Sequence, residues 1–355
     1  MAQTMKQWCT LMDGIDSLQM LEVPQPVILD GDEVLVKISR MSINHRDIKI
    51  IEGDFKGRYE TPSKPMVICS DASGVIVDVG GSTAASFWRK GDRVLALVRP
   101  THHHGPTRAE HHALGIGFPQ PGVLAEYRIF SATGLLRVPD SVTLEEACTL
   151  PIVGTTAWMA LNWDQPIGHP RTANDSTVLL QGTGGVCIAA LQQAKALGLT
   201  TIITSSSDDK LQRARELGAN HTLNYRTHPN WADEVLRLTN GKGVDIVVET
   251  GGPVTMQQSL KAVAEGGTIA AVGVLTGMTE SEGQIATGLS LINRNATLKG
   301  INIGPKDRAE EMLDMYRARQ IHPEIDRTFG FDQAKEALRY VRDGKHFGKV
   351  VIRVD

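Results

Sequence analysis

The feature that most constrains the fold of this chain is a regular alternation of apolar strands and helical segments. The alternating segments are strands at 177–181, 200–204, 220–224, 244–249 and 268–273, with helices at 184–197, 208–217, 230–239 and 255–264. Strands joined by helices of this length pair in parallel, and a parallel sheet needs helices on both of its faces. The alternation therefore predicts an α/β domain built on a doubly wound parallel sheet of five strands.

The first strand of this run leads into a glycine turn, in the segment VLLQGTGGVCIAALQQAKALG. The dinucleotide pattern Gly-x-Gly-x-x-Gly keeps its first two glycines, Gly182 and Gly184, while Cys187 replaces the third. The first glycine permits the tight turn and the second lets the backbone approach the pyrophosphate, whereas the third serves helix packing. Because a buried cysteine packs well, we expect a cofactor turn, and a turn for another ligand is the alternative. The predicted turn residues are Gly182, Thr183, Gly184, Gly185 and Val186.

The end of the next strand indicates which dinucleotide the turn holds. An NAD site places an acid there to bind the ribose hydroxyls, whereas this chain has the segment TIITSSSDDK. Ser205, Ser206 and Ser207 stand at the position of the acid, and Lys210 follows them, while Asp208 and Asp209 come later, where they would cap the helix. Hydroxyls and a lysine suit a 2′-phosphate, so the segment predicts NADPH as the cofactor. The alternative is that these residues only cap the helix that follows.

The chain of 355 residues is too long for one ordinary core, and its pattern changes along its length. Its first part shows short strands separated by Gly, Pro and Asp, which is typical of antiparallel β structure. A mixed pattern returns at the end, with helices at 306–319 and 332–342 and a last strand in KVVIRV. We predict a dinucleotide-binding domain over 144–301 and a second, β-rich domain made of 1–143 and 302–355.

Composition and charge exclude several classes of function. The net charge of −3 leaves no basic excess to neutralise phosphates, so nucleic acid is not an expected partner. The four cysteines form no Cys-x-x-Cys pair, which suits a reducing compartment. No apolar run reaches the roughly 18 residues of a membrane helix. We expect a cytoplasmic protein that acts on a small molecule.

Seven segments resemble the medium-chain dehydrogenase/reductase superfamily in content and order. They are, along the chain, GDRVLAL, GVLAEY, LPIVGTTAWMAL, QGTGGV, KLQRARELGANHTLNYR, GVDIVVETGG and GGTIAAVGV. The resemblance covers nearly the whole chain and implies a Rossmann-type domain with a GroES-like substrate domain formed by the N- and C-terminal parts. It also implies a cofactor in the cleft between those domains and a homo-oligomer, either a dimer or a tetramer.

Within that superfamily the chain resembles the zinc-independent, quinone-oxidoreductase-like branch. Zinc alcohol dehydrogenases carry a ligand cysteine, a ligand histidine and a further cysteine where this chain has Asn44, Ser70 and Ile152. Zinc needs about three protein ligands, so we expect no catalytic zinc. The cysteines of the structural zinc lobe are missing as well, since none lies between Cys69 and Cys148.

The branch also implies contacts to the cofactor beyond the glycine turn. Lys210 and Tyr225 have the spacing of the lysine and tyrosine that hold the 2′-phosphate in it. Further residues that follow the family's cofactor pattern are Thr156, Gly251, Val272, Gly273 and Lys349. For Lys349 the implied contact is the pyrophosphate, and an ordinary surface lysine is the alternative.

The segment SINHRDIKIIEGDFKGRYE faces the nicotinamide in this branch. Without zinc the substrate must be polarised by hydrogen bonds, and a proton must come from a side chain or water. Asn44 is the predicted donor to a substrate carbonyl and Asp47 the residue that organises the loop, with helix capping as the alternative for both. Enoyl-thioester reductases of the superfamily have a tyrosine as proposed proton donor at the position of Phe55. Tyr59 is therefore the candidate donor here, with a packed aromatic residue as the alternative.

A segment of unusual composition, RPTHHHGPTRAEHH, holds five histidines within residues 102–112. It stands where zinc enzymes of the superfamily carry the structural lobe. Its glycine and proline residues favour a solvated loop without fixed ligand geometry, and a metal site is the alternative.

Together these observations predict an NADPH-dependent, zinc-independent oxidoreductase. It would transfer a hydride to an activated C=C or C=O of a quinone- or enone-type small molecule. Two alternatives stay open. One is an NAD(P)-linked alcohol dehydrogenase that works without catalytic zinc, and the other is a nucleotide-binding member of the family without catalysis.

Overall fold

The chain forms two compact units. The structure is a computed structural model that describes residues 3–28, 31–57, 63–172, 176–277 and 287–355. One unit consists of Met1–Thr155 with Gly304–Asp355, and the other of Thr156–Ile303. The first unit thus includes residues 144–155, which the sequence predicts in the dinucleotide-binding domain. Side chains of the first unit bind this segment, since Ser42 Oγ donates to the carbonyl of Cys148 at 2.9 Å.

The regular elements of the described residues are short strands and helices. The strands are β1 (Thr4–Thr10), β2 (Gln19–Pro24), β3 (Glu33–Ser42), β4 (Met66–Val67), β5 (Asp71–Val79), β6 (Arg93–Ala96), β7 (Tyr127–Ser131), β8 (Leu135–Arg137), β9 (Thr177–Gln181), β10 (Thr200–Ser205), β11 (His221–Asn224), β12 (Val244–Glu249), β13 (Val263–Ala271), β14 (Thr297–Gly300), β15 (Ile325–Gly330) and β16 (Lys349–Arg353). The α-helices are α1 (His45–Ile51), α2 (Ser82–Phe87), α3 (Ala109–Ala113), α4 (Leu144–Ala147), α5 (Thr155–Asn162), α6 (Gly185–Leu197), α7 (Asp208–Leu217), α8 (Trp231–Leu238), α9 (Pro253–Ala262), α10 (Thr287–Arg294), α11 (Lys306–Arg319) and α12 (Ala334–Arg342). Within these ranges, none of the helices has the length and apolar character needed to cross a membrane.

The first unit is mostly antiparallel β structure, as its turn-rich sequence predicts. A small sheet has the strand order β2-β1-β4, and a seven-stranded sheet has the order β15-β16-β3-β5-β6-β8 with β7 paired to β3. The last strand, β16, returns to pair antiparallel with β3, so that Val351 lies opposite Ser42. This pairing brings Lys349 next to the residues that connect β3 to α1.

The second unit is the predicted doubly wound parallel sheet, with the strand order β11-β10-β9-β12-β13-β14. Its inner strands are apolar over most of their length, and Leu179, Ile202 and Val247 are fully buried in them. The chain order reverses between β9 and β12, and an open sheet of this kind binds its ligand at the carboxyl ends of the strands at that point. The sheet has six strands rather than the predicted five. The sixth, β14, was not predicted because it is a short, mostly exposed edge strand without an apolar run.

Candidate functional site

The glycine turn between β9 and α6 leaves open space above its backbone. Gly182 has a φ of +98°, which favours glycine, and its amide donates to Thr204 Oγ1 at 3.2 Å. Gly184, which precedes α6, has a φ of −81° and a ψ of 179°, and any residue adopts such extended angles. A Cβ added at Gly184 would meet no described atom within 4 Å, so the fold itself does not need glycine there. A bound pyrophosphate would need glycine at position 184, because the backbone must approach the phosphates closely. The turn therefore fits a dinucleotide.

Cys187 occupies the position of the third glycine and serves packing. Its side chain is 2% exposed, and Sγ donates to the carbonyl of Gln181 at 3.2 Å. Burial raises the pKa of the thiol to about 12, so the sulfur stays protonated and unreactive at neutral pH. The replacement thus changes the contact between α6 and β9 and adds no charge near the turn.

A second group of predicted cofactor residues lies at the ends of β10 and β11. Thr183 Oγ1 and Ser205 Oγ are 3.5 Å apart, which joins the glycine turn to the end of β10. The amide of Tyr225 donates to the carbonyl of Ser205 at 3.1 Å, which joins the end of β10 to the residue after β11. The Tyr225 side chain is 41% exposed. Three segments that are distant in sequence therefore meet at one edge of the sheet.

Helix α7 is capped by Ser207, the last of the three serines at the end of β10, and not by the predicted Asp208 and Asp209. Ser207 Oγ accepts from the amide of Lys210 at 3.4 Å. Asp208, the acid next in sequence, is exposed and accepts from Asn224 Nδ2 at 2.8 Å. Ser206 and Lys210 are half-buried at the same end of the sheet. Helix capping therefore accounts for Ser207 and does not account for Ser206.

A buried carboxylate that the sequence analysis missed organises the end of β12. Glu249 is fully buried, and its Oε1 accepts from the amides of Gly251 and Gly252 at 2.8 and 2.9 Å. Its Oε2 accepts from Gln181 Nε2 at 2.9 Å and from Ser259 Oγ. These bonds join the ends of β9 and β12, on either side of the point where the chain order reverses, to α9. The carboxylate thereby holds the turn that contains the predicted cofactor residue Gly251.

The remaining predicted cofactor residues of the second unit are Thr156, Val272 and Gly273. The amides of Val272 and Gly273 donate to the carbonyl of Glu249 at 2.8 and 3.2 Å, which places them next to the turn after β12. Thr156 is buried in α5. With the exception of Thr156, the predicted residues of this unit therefore gather at the carboxyl ends of the strands, the ligand side of such a sheet.

In the first unit, Asn44 lies in a buried network of polar side chains. Lys349 Nζ donates to Asn44 Oδ1 at 2.8 Å and to the carbonyl of Ile43 at 2.6 Å. Asn44 Nδ2 donates to Asp71 Oδ2 at 2.8 Å, and the same oxygen lies 3.9 Å from the ammonium. Asp71 also accepts from Ser42 Oγ at 3.3 Å. The side chain of Asn44 therefore serves this network rather than capping α1.

The position of Lys349 corrects both predictions for this residue. Its side chain is neither a surface lysine nor one that extends toward a pyrophosphate, since the residue is 4% exposed and its ammonium binds within the first unit. Because β16 pairs with β3, the ammonium is held beside Asn44, at a place that the local sequence HFGKVV does not indicate.

Asp47 is the residue that caps α1. Its Oδ2 accepts from the amide of Asn44 at 2.8 Å, and its Oδ1 accepts from Ser70 Oγ at 3.1 Å. Ser70 in turn accepts from the guanidinium of Arg46, which also donates to the carbonyl of Ile116 at 3.2 Å. Asp47 thus joins the start of α1 to the segment before β5. The same hydrogen bonds cap the helix and organise the loop, so the predicted role of Asp47 and its alternative are not exclusive.

Burial changes the proton affinity of the charged groups in this network. It raises the pKa of Asp71 to about 6, against the opposing effects of Lys349 and of the hydrogen bond from Asn44. Burial also raises the pKa of Asp47 and lowers the pKa of Lys349. The ammonium of Lys349 opposes the rise of both carboxyl pKa values, and both carboxylates oppose the fall of the lysine pKa, so the charges of this network partly compensate one another.

The residues at the three zinc-ligand positions of the family do not fit a zinc ion. Asn44 Oδ1 accepts from the ammonium of Lys349, and Ser70 Oγ takes part in the hydrogen bonds given above. Ile152 has no donor atom in its side chain, and its amide donates to Asp71 Oδ1 at 3.1 Å. Among the described residues, no group of three or more His, Cys, Asp or Glu side chains could hold a metal ion. A zinc ion at this place would lie against the ammonium and would lack its usual ligands.

Phe55, which replaces the tyrosine of enoyl-thioester reductases, is packed, and the candidate proton donor Tyr59 lies outside the described part of the chain. Phe55 packs against an apolar cluster that includes Met12, Ile50 and Phe118, and its ring lies 6.1 Å from that of Phe118. The position of the tyrosine in enoyl-thioester reductases is therefore a packing position here. Tyr59 lies outside the described residues, and its role as proton donor stays a prediction.

The histidine-rich segment is exposed or half-buried over most of its length, as expected of a solvated loop, but its beginning is packed. His102 is buried, and its ring stacks on that of His111 with 4.5 Å between the centroids. The carbonyls of His102 and His103 accept from the amides of Lys306 and Asp307 at the start of α11. Contacts with a distant helix therefore order a segment whose own sequence favours exposure.

Asp71 in the first unit and Glu249 in the second are buried acids that neither the glycine pattern nor the zinc-ligand positions indicate. Asp71 opens the buried strand β5, and Glu249 closes the buried strand β12. Carboxylates are almost never fully buried unless they are paired or hydrogen-bonded. An acid at the end of a buried apolar strand was therefore a signal that could have identified both residues.

Comparisons with known proteins match both units. Residues 30–140 match the family described as the alcohol dehydrogenase GroES-like domain, and residues 185–318 match the one described as zinc-binding dehydrogenase. A zinc-type alcohol dehydrogenase-like protein of Schizosaccharomyces pombe is 37% identical over 97% of this chain and 97% of its own length. The crystal structure of a candidate alcohol dehydrogenase from Sinorhizobium meliloti is 35% identical, covers 100% of both chains and has a TM-score of 0.88. A mycobacterial protein solved with NADPH is 25% identical over 99% of this chain and 100% of its own, with a TM-score of 0.77. The predicted GroES-like and Rossmann-type α/β domains are confirmed.

Proposed function

The chain belongs to the medium-chain dehydrogenase/reductase superfamily, and on this premise we propose that it is an NADPH-dependent reductase that works without zinc. Oxidoreductase activity with a nicotinamide cofactor follows from the family itself. The preference for NADPH, the independence from zinc and the substrate class are the proposed parts. The substrate is an activated C=C or C=O compound of the quinone or enone type.

The observation that carries the proposal is the buried ammonium of Lys349 at the place of the family's zinc ligands. Zinc enzymes polarise the substrate oxygen with the metal. Here Asn44, at the position of a ligand cysteine, is an amide whose Nδ2 carries two N–H groups, one of which binds Asp71. The second N–H is the donor that we assign to the substrate oxygen. Asp47 keeps the backbone of Asn44 in place through the cap of α1.

The second unit supplies the cofactor site of the proposal. We assign the amides that follow Gly182 and Gly184 to the pyrophosphate, and Ser206, Lys210 and Tyr225 to the 2′-phosphate. The glycine at 184, for which the described structure gives no packing reason, supports the first assignment. Bound NADPH supplies the hydride, and the proton comes from Tyr59 or from water.

Titration with NADPH and NADH, followed by nicotinamide fluorescence, tests the cofactor assignment. We expect at least a tenfold preference for NADPH, about 1.4 kcal/mol. Tyr225→Phe and Lys210→Met should lower the affinity for NADPH and leave that for NADH unchanged. The matched control is Lys242→Met, which removes an exposed lysine elsewhere in the same unit. Equal wild-type affinities would favour the zinc-free alcohol dehydrogenase, and failure of both nucleotides to bind would contradict the cofactor site.

Turnover measured before and after treatment with a chelator tests the zinc-free reduction. Consumption of NADPH with a panel of quinones, enones and aldehydes should be unchanged after chelation and should not rise with added zinc. A loss of activity that zinc restores would contradict the proposal. Bound NADPH without turnover on any compound would identify a non-catalytic nucleotide-binding protein.

Besides a small-molecule substrate, we propose a location in the cell and an oligomeric state for this protein. We place it in the cytoplasm and expect a homo-oligomer, either a dimer or a tetramer. Light scattering of the purified protein measures its mass against the 38.5 kDa of one chain. A mass of one chain at the concentration used for assays would contradict the oligomer.

A further inference from the structure

Lys349 is a buried cation without a step of its own in the proposed hydride transfer. Burial of an ammonium is unfavourable unless hydrogen bonds and an opposite charge compensate for the lost water. Lys349 Nζ has both, since it donates to Asn44 Oδ1 and to the carbonyl of Ile43, with Asp71 Oδ2 at 3.9 Å. Apolar residues of similar volume commonly replace such buried pairs without loss of stability, so packing does not explain the ammonium.

The amide of Asn44 lies between two groups of opposite hydrogen-bonding character. The ammonium of Lys349 can only donate, and an ionised Asp71 can only accept. Asn44 Oδ1 faces the donor at 2.8 Å, and Asn44 Nδ2 faces the acceptor at 2.8 Å. A flip of the amide by 180° would bring two donors together and two acceptors together. The two charges therefore favour one orientation of the amide.

We propose that Lys349 is a positioning residue that acts through Asn44. Together with Asp71 it holds the amide in the orientation that leaves the second Nδ2–H of Asn44 for the substrate oxygen. The hydrogen bond to Oδ1 also polarises the amide, which strengthens the donors on Nδ2. This inference rests on the proposed function, in which Asn44 contacts the substrate, and it assigns to the ammonium a part of the polarising effect that zinc supplies elsewhere in the family.

Five variants, one of them the combination Lys349→Met/Asn44→Ala, separate positioning from a merely structural role. Lys349→Met removes the ammonium, and Lys349→Met/Asp71→Asn removes both charges so that no uncompensated charge stays buried. Asn44→Ala removes the amide. Lys306→Met is the matched control, because Lys306 is another partly buried lysine of the first unit, which donates to the carbonyl of Thr133 at 2.8 Å.

We expect Lys349→Met to lower both the midpoint of thermal unfolding and kcat. In the Lys349→Met/Asp71→Asn variant the midpoint should recover, while kcat stays about a hundredfold below the wild type, the usual effect of losing one donor to a reacting oxygen. The KM for NADPH should not change in either variant. Combined with Asn44→Ala, Lys349→Met should cause no further loss of kcat, because it acts through the same amide. Lys306→Met should retain kcat.

Recovery of kcat together with the midpoint in the doubly neutral variant would overturn the proposal, because the charges would then serve folding alone. Multiplied losses of kcat in Lys349→Met/Asn44→Ala would also overturn it. If the wild type turns over no compound, the proposed function fails by itself. The contact between Lys349 and Asn44 is then tested by thermal unfolding alone. If the fall in midpoint of Lys349→Met/Asn44→Ala differs from the sum of the falls in the two single variants, the contact is supported; if it equals that sum, the contact is overturned.

Discussion

Substitution of Gly184 by alanine separates the needs of the fold from the needs of the cofactor. In the described structure the new methyl group meets no atom within 4 Å, and the extended backbone angles at Gly184 suit alanine. Alanine restricts the unfolded chain more than glycine, but it is the less favourable residue at a helix N-cap, which is the position of Gly184 in α6. Because these effects oppose each other, the free energy of unfolding should change by less than about 1 kcal/mol. The protein should therefore fold as well as the wild type.

The same methyl group should obstruct NADPH. A hydrogen bond to a charged group contributes about 1.5–3 kcal/mol, and a methyl group that keeps the pyrophosphate from one amide removes at least one such bond. The Kd for NADPH should therefore rise by roughly 10- to 150-fold. Thermal unfolding measures the first effect, and a fluorescence titration with NADPH measures the second.

Gly300→Ala is the matched control for this prediction. Gly300 ends the edge strand β14, is exposed, and would place a Cβ with no described atom within 4 Å, so alanine there should change neither property. An unchanged Kd for NADPH in Gly184→Ala would refute the assignment of the turn to the pyrophosphate. A loss of stability above about 1 kcal/mol would refute the claim that the fold leaves this space open.

Three further predictions concern buried side chains. Cys187→Ala should cost about 1 kcal/mol of stability and Cys187→Gly about 1 kcal/mol more, with an unchanged Kd for NADPH; a tighter Kd in the glycine variant would show that the thiol obstructs the turn. Glu249→Gln should cost about 3 kcal/mol in urea unfolding, because an amide group would face donors at Gln181 and Ser259 or at the turn, and an unchanged stability would contradict the network. Burial raises the pKa of Asp71 to about 6, above its unfolded value, so between about pH 4 and pH 6 the folded protein holds a proton that the unfolded chain has lost, and this residue lowers stability as the pH rises. The free energy of unfolding of Asp71→Asn should therefore fall by about 3 kcal/mol less than that of the wild type as the pH rises from 4 to 7. Parallel curves of this free energy against pH for variant and wild type would refute the prediction.

Elements that depend on local patterns could be predicted closely from the sequence. The strand at 177–181 and the helices at 208–217 and 306–319 have the bounds that the pattern indicates. The edge strand β14 was missed because it is stabilised by pairing with β13, and its residues carry no apolar run. Packing of His102 under the start of α11 was missed for a similar reason, since its partners lie some two hundred positions later in the chain.

The site divides in the same way. The positions of the glycine turn after β9 and of the serines after β10 could be predicted because they depend on residue type and on spacing within one βαβ unit. Lys349 and Asn44 lie 305 positions apart, and the pairing of β16 with β3 alone brings them together. A lysine at the start of a strand looks the same in sequence whether its ammonium is exposed or buried.

The sequence by itself determined the fold class, the place of the glycine turn and the residue types at the three zinc positions, because residue types and local periodicity suffice for each. The tertiary structure alone decided which buried charges meet. The free energy of a buried charge depends on its partners within a few ångströms, and strand pairing across the chain supplies those partners. For that reason the partners of Asp71, Glu249 and Lys349 became recognisable only in the folded protein.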